Sequence, residues 1–279
     1  MTSKHTVAII QARMGSSRLP GKVLLDIAGK PMLAHVVDRT RRAETVQQVV
    51  VATTNEPEDD PVASFCLQRQ IDCFRGSLHD VLDRYYQAAK IHKADIIVRI
   101  TADCPLIDPQ VIDLTVKAFL GQASDHQRVL SPGDGQIVSN QPYDFTANRL
   151  PPPWGRTYPI GLDTEVCSFP SLEIVWQEAI QPHQREHVMP YFYDHQERFS
   201  ILLVDHEQDY GDLRWTVDTQ EDLDLVRQIF DQFPGRSDFS WLEVLELFRR
   251  DPKLAQINAQ VRHKVYNEVD NRRSSPKTP

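Results

Sequence analysis

Apolar positions along the chain follow two different periods. Residues 6–11 (TVAIIQ), 48–53 (QVVVAT) and 95–101 (DIIVRIT) are short, β-branched and almost continuously apolar, which predicts strands buried on both faces. A further short strand is predicted at 71–74. Between these runs the spacing changes to three and four, the period of an amphipathic helix. Helices are predicted over 31–43, 61–69, 80–92 and 109–119. In the first of them Pro31 suits the opening turn, and Met32, Leu33, Val36 and Val37 form one apolar stripe. Strand–helix alternation of this kind predicts an α/β fold, with three α/β/α layers around a mixed, mainly parallel sheet.

The pattern weakens after Gly121. Short β-like pieces lie among Pro and Gly turns as far as Tyr158, which reads as a subdomain excursion at about 121–168 and not as a linker. Strand-like residues 160–168 follow, then helices near 170–179 and 183–195 and strands at 199–204 and 213–217. Helices over 221–233 and 241–249 complete a single domain over 1–258. Residues 259–279 read as a polar tail without periodicity, partly disordered.

Composition narrows the class. The 279 residues are 41% hydrophobic and 25% charged, an ordinary globular balance that needs no disulfide or metal staple. No apolar run approaches the roughly 18 residues of a membrane span, and the N-terminus lacks a signal-peptide core, so a cytoplasmic protein is expected. Cysteines at 66, 73, 104 and 167 form no Cys-x-x-Cys pair and read as free thiols. The net charge of −8 is uneven: residues 1–50 carry +5, residues 260–279 carry +3, and the stretch between carries −16. A nucleic-acid binder would show a basic body, so a small polyanion is the expected partner of the basic segment. Arg39, Arg41 and Arg42 read as the solvated end of a helix, where cations suit the dipole.

Chemistry is expected beyond the carboxyl ends of the strands, where open α/β sheets bind ligands. The loop QARMGSSRLPGK at 11–22 lies there. Small residues (Gly15, Ser16, Ser17) let backbone approach a ligand, and Arg13, Arg18 and Lys22 supply charge, a combination able to cradle a triphosphate. Its glycine spacing fits neither a P-loop nor a dinucleotide fingerprint. Asp103 ends the strand 95–101, and Asp218 ends the strand 213–217. Two such aspartates could share one Mg²⁺ with phosphate oxygens and water, or could be turn residues. Asp108 reads as the cap of the helix at 109, and Thr219 as the cap of the helix at 221.

These residues resemble the cytidylyltransferases that make CMP-sugars: CMP-Kdo synthetases, acylneuraminate cytidylyltransferases and, most closely, the spore-coat polysaccharide biosynthesis branch. The resemblance is carried by IQARMGSSRLPGKVL at 10–24, GKPML at 29–33, DCPLI at 103–107 and VDTQEDL at 217–223, in family order over about residues 5–235. It implies a nucleotide-diphospho-sugar transferase (GT-A-like) fold, often dimeric. The implied reaction joins CMP from CTP to a hydroxyl-bearing acceptor, with Mg²⁺ and release of pyrophosphate. The implied nucleotide site is Gln11, Ala12, Arg13, Gly15, Ser16, Ser17, Arg18, Lys22, Thr101 and Asp103. Arg13, Lys22, Asp103 and Asp218 carry the chemistry, and Asp103 and Asp218 ligate the metal.

Two departures bear on specificity. CMP-Kdo synthetases carry Gln-Gly-Asp where this chain has Thr101-Ala-Asp, which weakens the expectation of CTP. Where their acid-sugar segment reads His-Ile-Gly, this chain has Pro159-Ile-Gly followed by Asp163 and Glu165, which would repel a carboxylate unless Mg²⁺ or an arginine such as Arg185 offsets them. Asp163, Glu165, Arg185 and His187 are the candidate acceptor residues, with His187 able to orient or deprotonate the attacking hydroxyl. The expected acceptor is a small molecule: a sugar, a sugar-like alcohol or a phospho or phosphono compound. The alternatives are a GT-A-like glycosyltransferase using a nucleotide sugar, and a non-catalytic nucleotide-binding module.

Overall fold

The computed structural model describes residues 4–122, 126–132 and 141–262. In chain order the strands are β1 (Thr6–Gln11), β2 (Asp26–Ile27), β3 (Lys30–Pro31), β4 (Gln48–Thr54), β5 (Asp72–Gly76), β6 (Ile96–Thr101), β7 (Gln127–Pro132), β8 (Phe145–Ala147), β9 (Glu165–Ser168) and β10 (Ser200–Val204). The helices are α1 (Met32–Thr40), α2 (Asp60–Gln68), α3 (Val81–Ile91), α4 (Pro109–Phe119), α5 (Phe169–Glu178), α6 (Pro182–His187), α7 (Pro190–Asp194), α8 (Gln220–Asp231) and α9 (Trp241–Arg250). Eight strands form the main sheet in the order β5-β4-β1-β6-β9-β8-β10-β7, and β2 and β3 pair apart from it. The block β5-β4-β1-β6 is parallel, β8 and β10 are parallel to each other, and β9 and β7 run antiparallel to their neighbours. The expected mixed, mostly parallel sheet is therefore present. Strands from the 121–168 stretch are built into it.

Period-two alternation distributes the core. Val7 and Ile9 of β1 face one cluster with Leu82 and Tyr85 of α3 and Leu172 of α5. Ala8 and Ile10 face the opposite cluster with Val36 of α1, Val62 of α2 and Ile112 of α4. Every one of these apolar side chains is buried, so β1 is covered on both sides as its composition predicts. A third cluster joins α8 and α9 to Trp215 and Val217. Among the described residues no helix is long and apolar enough to cross a membrane.

Three local expectations change. The helix expected over 183–195 is two short helices, α6 and α7, divided at Val188, whose φ of 73° cannot continue a helix. Residues 213–217 do not make a ladder strand. Their backbone changes partner along its length: Trp215 N–H donates to the Ile160 carbonyl at 2.7 Å, and Val217 N–H donates to the Asp103 carbonyl at 2.8 Å. Gly161 permits the approach, because a Cβ there would lie 2.7 Å from the Thr216 nitrogen and its φ is 109°. Arg39 is buried, not solvated. It donates to the carbonyls of Ile107, Ser237 and Phe239 at 2.6, 2.9 and 2.9 Å and ties α1 to the approach to α9. The tail at 259–279 lies outside the described residues beyond 262.

Candidate functional site

The ends of β1 and β6 open into a pocket of about 620 Å³. All ten residues of the expected nucleotide site line it: Gln11, Ala12, Arg13, Gly15, Ser16, Ser17, Arg18, Lys22, Thr101 and Asp103. Local hydrogen bonds explain how the loop after β1 holds its shape. The Met14 carbonyl accepts from both Ser16 N–H and Gly21 N–H at 2.9 Å, folding the loop onto itself. Met14 N–H donates to the Asp59 carboxylate at 2.6 Å, fixing the loop to the turn before α2. Gly21 adopts φ 69° and turns the chain into the short 3-10 helix Lys22–Leu24. That turn aims the Lys22 side chain back under the loop.

Lys22 is the centre of the arrangement. Its ammonium donates to Asp103 Oδ2 at 2.7 Å, Asp218 Oδ1 at 2.8 Å and the Val217 carbonyl at 2.8 Å, which uses all three protons. Asp103 and Asp218, separated by more than a hundred residues, therefore converge on one point. The stitching of Val217 N–H and Thr216 Oγ1 to the Asp103 carbonyl holds the segment before Asp218 against the turn after β6. The outer oxygen of Asp218 pairs with Arg18 at 2.8 Å and Arg214 at 2.7 Å. Burial alone would raise the Asp218 carboxyl, but Lys22, Arg18 and Arg214 outweigh it and hold the group well below the usual carboxylate range. Burial would likewise lower the Lys22 ammonium, but Asp103 and Asp218 hold it above its ordinary value.

The donor set at this point suits a hard divalent cation. Asp103 and Asp218 are brought to one place by Lys22, and Mg²⁺ takes one or two carboxylates with phosphate oxygens and water completing its shell. No group of three or more His, Cys, Asp or Glu side chains able to hold a metal occurs among the described residues. A protein-only cage is thus not what the site offers.

Arg84 escaped the sequence pattern. It lies in the first turn of α3, where it reads as one cation of an amphipathic helix, yet it is buried and lines the pocket. Its Nε and Nη1 have no hydrogen-bond partner among the described residues. Burial, and the nearby Arg13 guanidinium, pull it down to about 10. An unpartnered guanidinium beside a second one is a place where an anion is favourable.

The acceptor residues divide. Asp163 and His187 line the pocket; Glu165 and Arg185 do not. Glu165 is buried in the sheet, paired in register with Arg99 and ion-paired to it, with Arg149 at 3.6 Å. Arg185 is consumed by structure: it grips Asp80, the cap of α3, with Nε at 3.1 Å from both oxygens, and donates to the Trp176 carbonyl at 2.7 Å. Asp163 is clasped by both terminal nitrogens of Arg156 at 2.6 and 3.3 Å, and Arg149 approaches it at 3.4 Å. The two acids are therefore matched by Arg99, Arg149 and Arg156, which all line the pocket. The offsetting cations are thus not Arg185 but arginines 7 to 66 residues away in sequence, which pair with both acids. Glu186 and Tyr193 complete this half of the pocket.

A family model described as cytidylyltransferase matches residues 7–247. The spore coat polysaccharide biosynthesis protein SpsF of Bacillus subtilis is 29% identical over 88% of this chain and 95% of its own length. A 3-deoxy-manno-octulosonate cytidylyltransferase of Trichlorobacter lovleyi is 34% identical over 66% of this chain and 77% of its own. The solved structure of a cytidylyltransferase from Leptospira borgpetersenii is 32% identical. It superposes with a TM-score of 0.79 over 93% of this chain and the whole of its own.

Proposed function

Since the chain belongs to the cytidylyltransferase family, we propose that it transfers CMP from CTP to a small acceptor, with Mg²⁺, and releases pyrophosphate. The acceptor oxygen attacks the α-phosphorus of CTP. The bond to the bridging oxygen breaks, and pyrophosphate carries the electron pair away. The single observation that carries this reading is the convergence of Asp103 and Asp218 on one cationic point, Lys22, at the foot of a pocket lined by Arg13, Arg18 and Arg84.

Each residue has a distinct part. Arg13, Arg18 and Arg84, with the backbone of the 12–17 loop, hold the triphosphate. Lys22, whose three protons go to Asp103, Asp218 and the Val217 carbonyl, fixes the two carboxylates beside the reacting phosphate and adds positive charge there. Asp103 and Asp218 would hold Mg²⁺, which when bound neutralises phosphate charge and polarises the phosphoryl group. Gln11 and Thr101 lie on the floor of the pocket at the ends of β1 and β6. Catalysis of this kind is positioning and electrostatics, with little covalent work for the protein.

The acceptor half presents Asp163, Glu186, His187 and Tyr193 beside three arginines. Such a balanced, hydrogen-bonding lining suits a sugar, a sugar-like alcohol or a phospho or phosphono compound. The similarity to a spore coat polysaccharide protein supports a place in polysaccharide or cell-surface glycan synthesis. His187, which lines this half of the pocket, would orient the attacking hydroxyl or take its proton. Calorimetry with CTP, UTP, ATP and GTP, each with Mg²⁺, tests nucleotide choice: CTP should bind at least tenfold tighter than the others, and equal binding of all four would overturn it. His187→Ala should keep CTP affinity and lose turnover across a panel of acceptors; unchanged turnover would remove His187 from this role.

A further inference from the structure

The family match ends at residue 247, but the chain does not leave the site there. After α9 a short 3-10 turn, Pro252–Gln256, is pinned by Leu254, which is buried in the same cluster as Trp215 and Phe248. The turn delivers Asn258 against the 213–217 segment that leads to Asp218. Asn258 is 5% exposed, and its Nδ2 donates to the Arg214 carbonyl at 2.9 Å and to Asp222 Oδ1 at 2.8 Å. Both of its amide protons are therefore engaged on one side of the site.

What Asn258 holds is a fully buried carboxylate with a specific job. Asp222 accepts from Arg214 Nε at 2.9 Å through one oxygen. Through the other it accepts the backbone N–H groups of Asp218 and Thr219, at 2.9 and 3.1 Å. Arg214 in turn donates to Asp218 Oδ2 at 2.7 Å. Asp218 is thus located twice by this pair, once through its backbone and once through its side chain. A few residues on, the Arg262 carbonyl accepts from Arg18 at 3.5 Å, and Arg18 pairs with the same Asp218 oxygen. The segment beyond the family domain meets the Asp218 neighbourhood from two directions.

We propose that Asn258 is a positioning residue that holds the Asp222–Arg214 pair, and through it the Asp218 carboxylate, in the arrangement that takes the metal-bound nucleotide, so that residues 251–262 are a working part of the site. The proposal rests on the reading of Asp218 as a metal-binding carboxylate. Asn258 touches no substrate itself. Without Asn258, Asp222 keeps its other partners but loses one donor to Oδ1, and the Arg214 carbonyl loses its donor as well. Asp218 then keeps its charge and loses its aim.

The test is CTP affinity by calorimetry, with and without Mg²⁺, on the full chain and on Asn258→Leu, which keeps the volume and removes both donors. In the parent, Mg²⁺ should tighten CTP binding. In Asn258→Leu the metal-free affinity should stay within twofold of the parent, while the gain from Mg²⁺ falls about tenfold, the scale of losing one hydrogen bond to a charged group. Asn258→Ala, which adds no bulk, carries the same expectation if the leucine variant does not fold. An unchanged Mg²⁺ gain in a folded variant overturns the proposal alone, and an equal loss of affinity with and without metal reduces Asn258 to a structural role. A parent whose CTP affinity ignores Mg²⁺ overturns the metal-site reading and this proposal with it.

Discussion

Lys22→Met removes the central charge while keeping the length and apolar stem of the side chain. Three hydrogen bonds, of 2.7, 2.8 and 2.8 Å, disappear together. Asp218 retains Arg18 and Arg214, so it is not stranded. The Lys22 side chain is 10% exposed and its two partners 25% and 19%, so water reaches the carboxylates once the ammonium is gone. The stability cost should lie between that of a surface pair and a fully buried one, roughly 1–3 kcal/mol. Turnover should suffer more. Losing the charge that positions both carboxylates beside the reacting phosphate should cost roughly a hundredfold to a thousandfold in kcat, the scale of one preorganised electrostatic group. A second effect has the opposite sign. The ammonium occupies the point on which both carboxylates converge, so its removal should let Mg²⁺ bind there more tightly. Thermal unfolding, steady-state pyrophosphate release and the Mg²⁺ concentration for half-maximal rate measure the three quantities. A folded variant with kcat within twofold of the parent would refute the reasoning.

Arg84→Met should weaken CTP binding about tenfold to a hundredfold, the range for a lost charge-assisted hydrogen bond; affinity within twofold by calorimetry would place Arg84 outside the triphosphate site. Gly161→Ala should destabilise the protein by roughly 1–3 kcal/mol, because its Cβ would meet the backbone of Trp215 and Thr216 and its φ is left-handed; an unchanged denaturation midpoint would contradict the close approach. The pH dependence of stability should fall on the acid side. Asp218 lies below its ordinary 3.8, so its contribution is complete above that value and is lost as the pH falls through the depressed one. Lys22 lies above its ordinary 10.5, so its contribution persists below that value and is lost only as the pH rises through the raised one. The unfolding midpoint of Lys22→Met should therefore depend less steeply on pH between about 5 and 2 than that of the parent, and parallel slopes would count against the pairing.

Much of this was legible in the chain because it is local. Continuous apolar runs located β1, β4 and β6, and the rule that ligands sit beyond strand ends pointed to the 11–22 loop and Asp103, which line the pocket; Asp218 lines it too, although the run before it is not a strand. Capping chemistry placed the starts of α4 and α8 at Asp108 and Thr219. The illegible part is set by partners distant in sequence. Nothing around Glu165 announces Arg99, because the pairing comes from β6–β9 register. Nothing around Arg185 announces that Asp80 will occupy it. Arg84 and Arg39 look like surface cations in an amphipathic pattern, and only the neighbouring elements bury them. The 213–217 run has strand composition but splits its backbone bonds between Ile160 and Asp103, so it never joins the sheet.

Transfer of CMP from CTP at the point held by Lys22, Asp103 and Asp218 can be followed directly. The direct measurement follows α-³²P-labelled CTP incubated with the protein, Mg²⁺ and a panel of sugars, sugar acids, polyols and phosphorylated or phosphono alcohols. Label should enter an acceptor conjugate in step with unlabelled pyrophosphate, and Lys22→Met should nearly abolish the transfer. Release of labelled CDP, or label transfer undiminished in Lys22→Met, would contradict it.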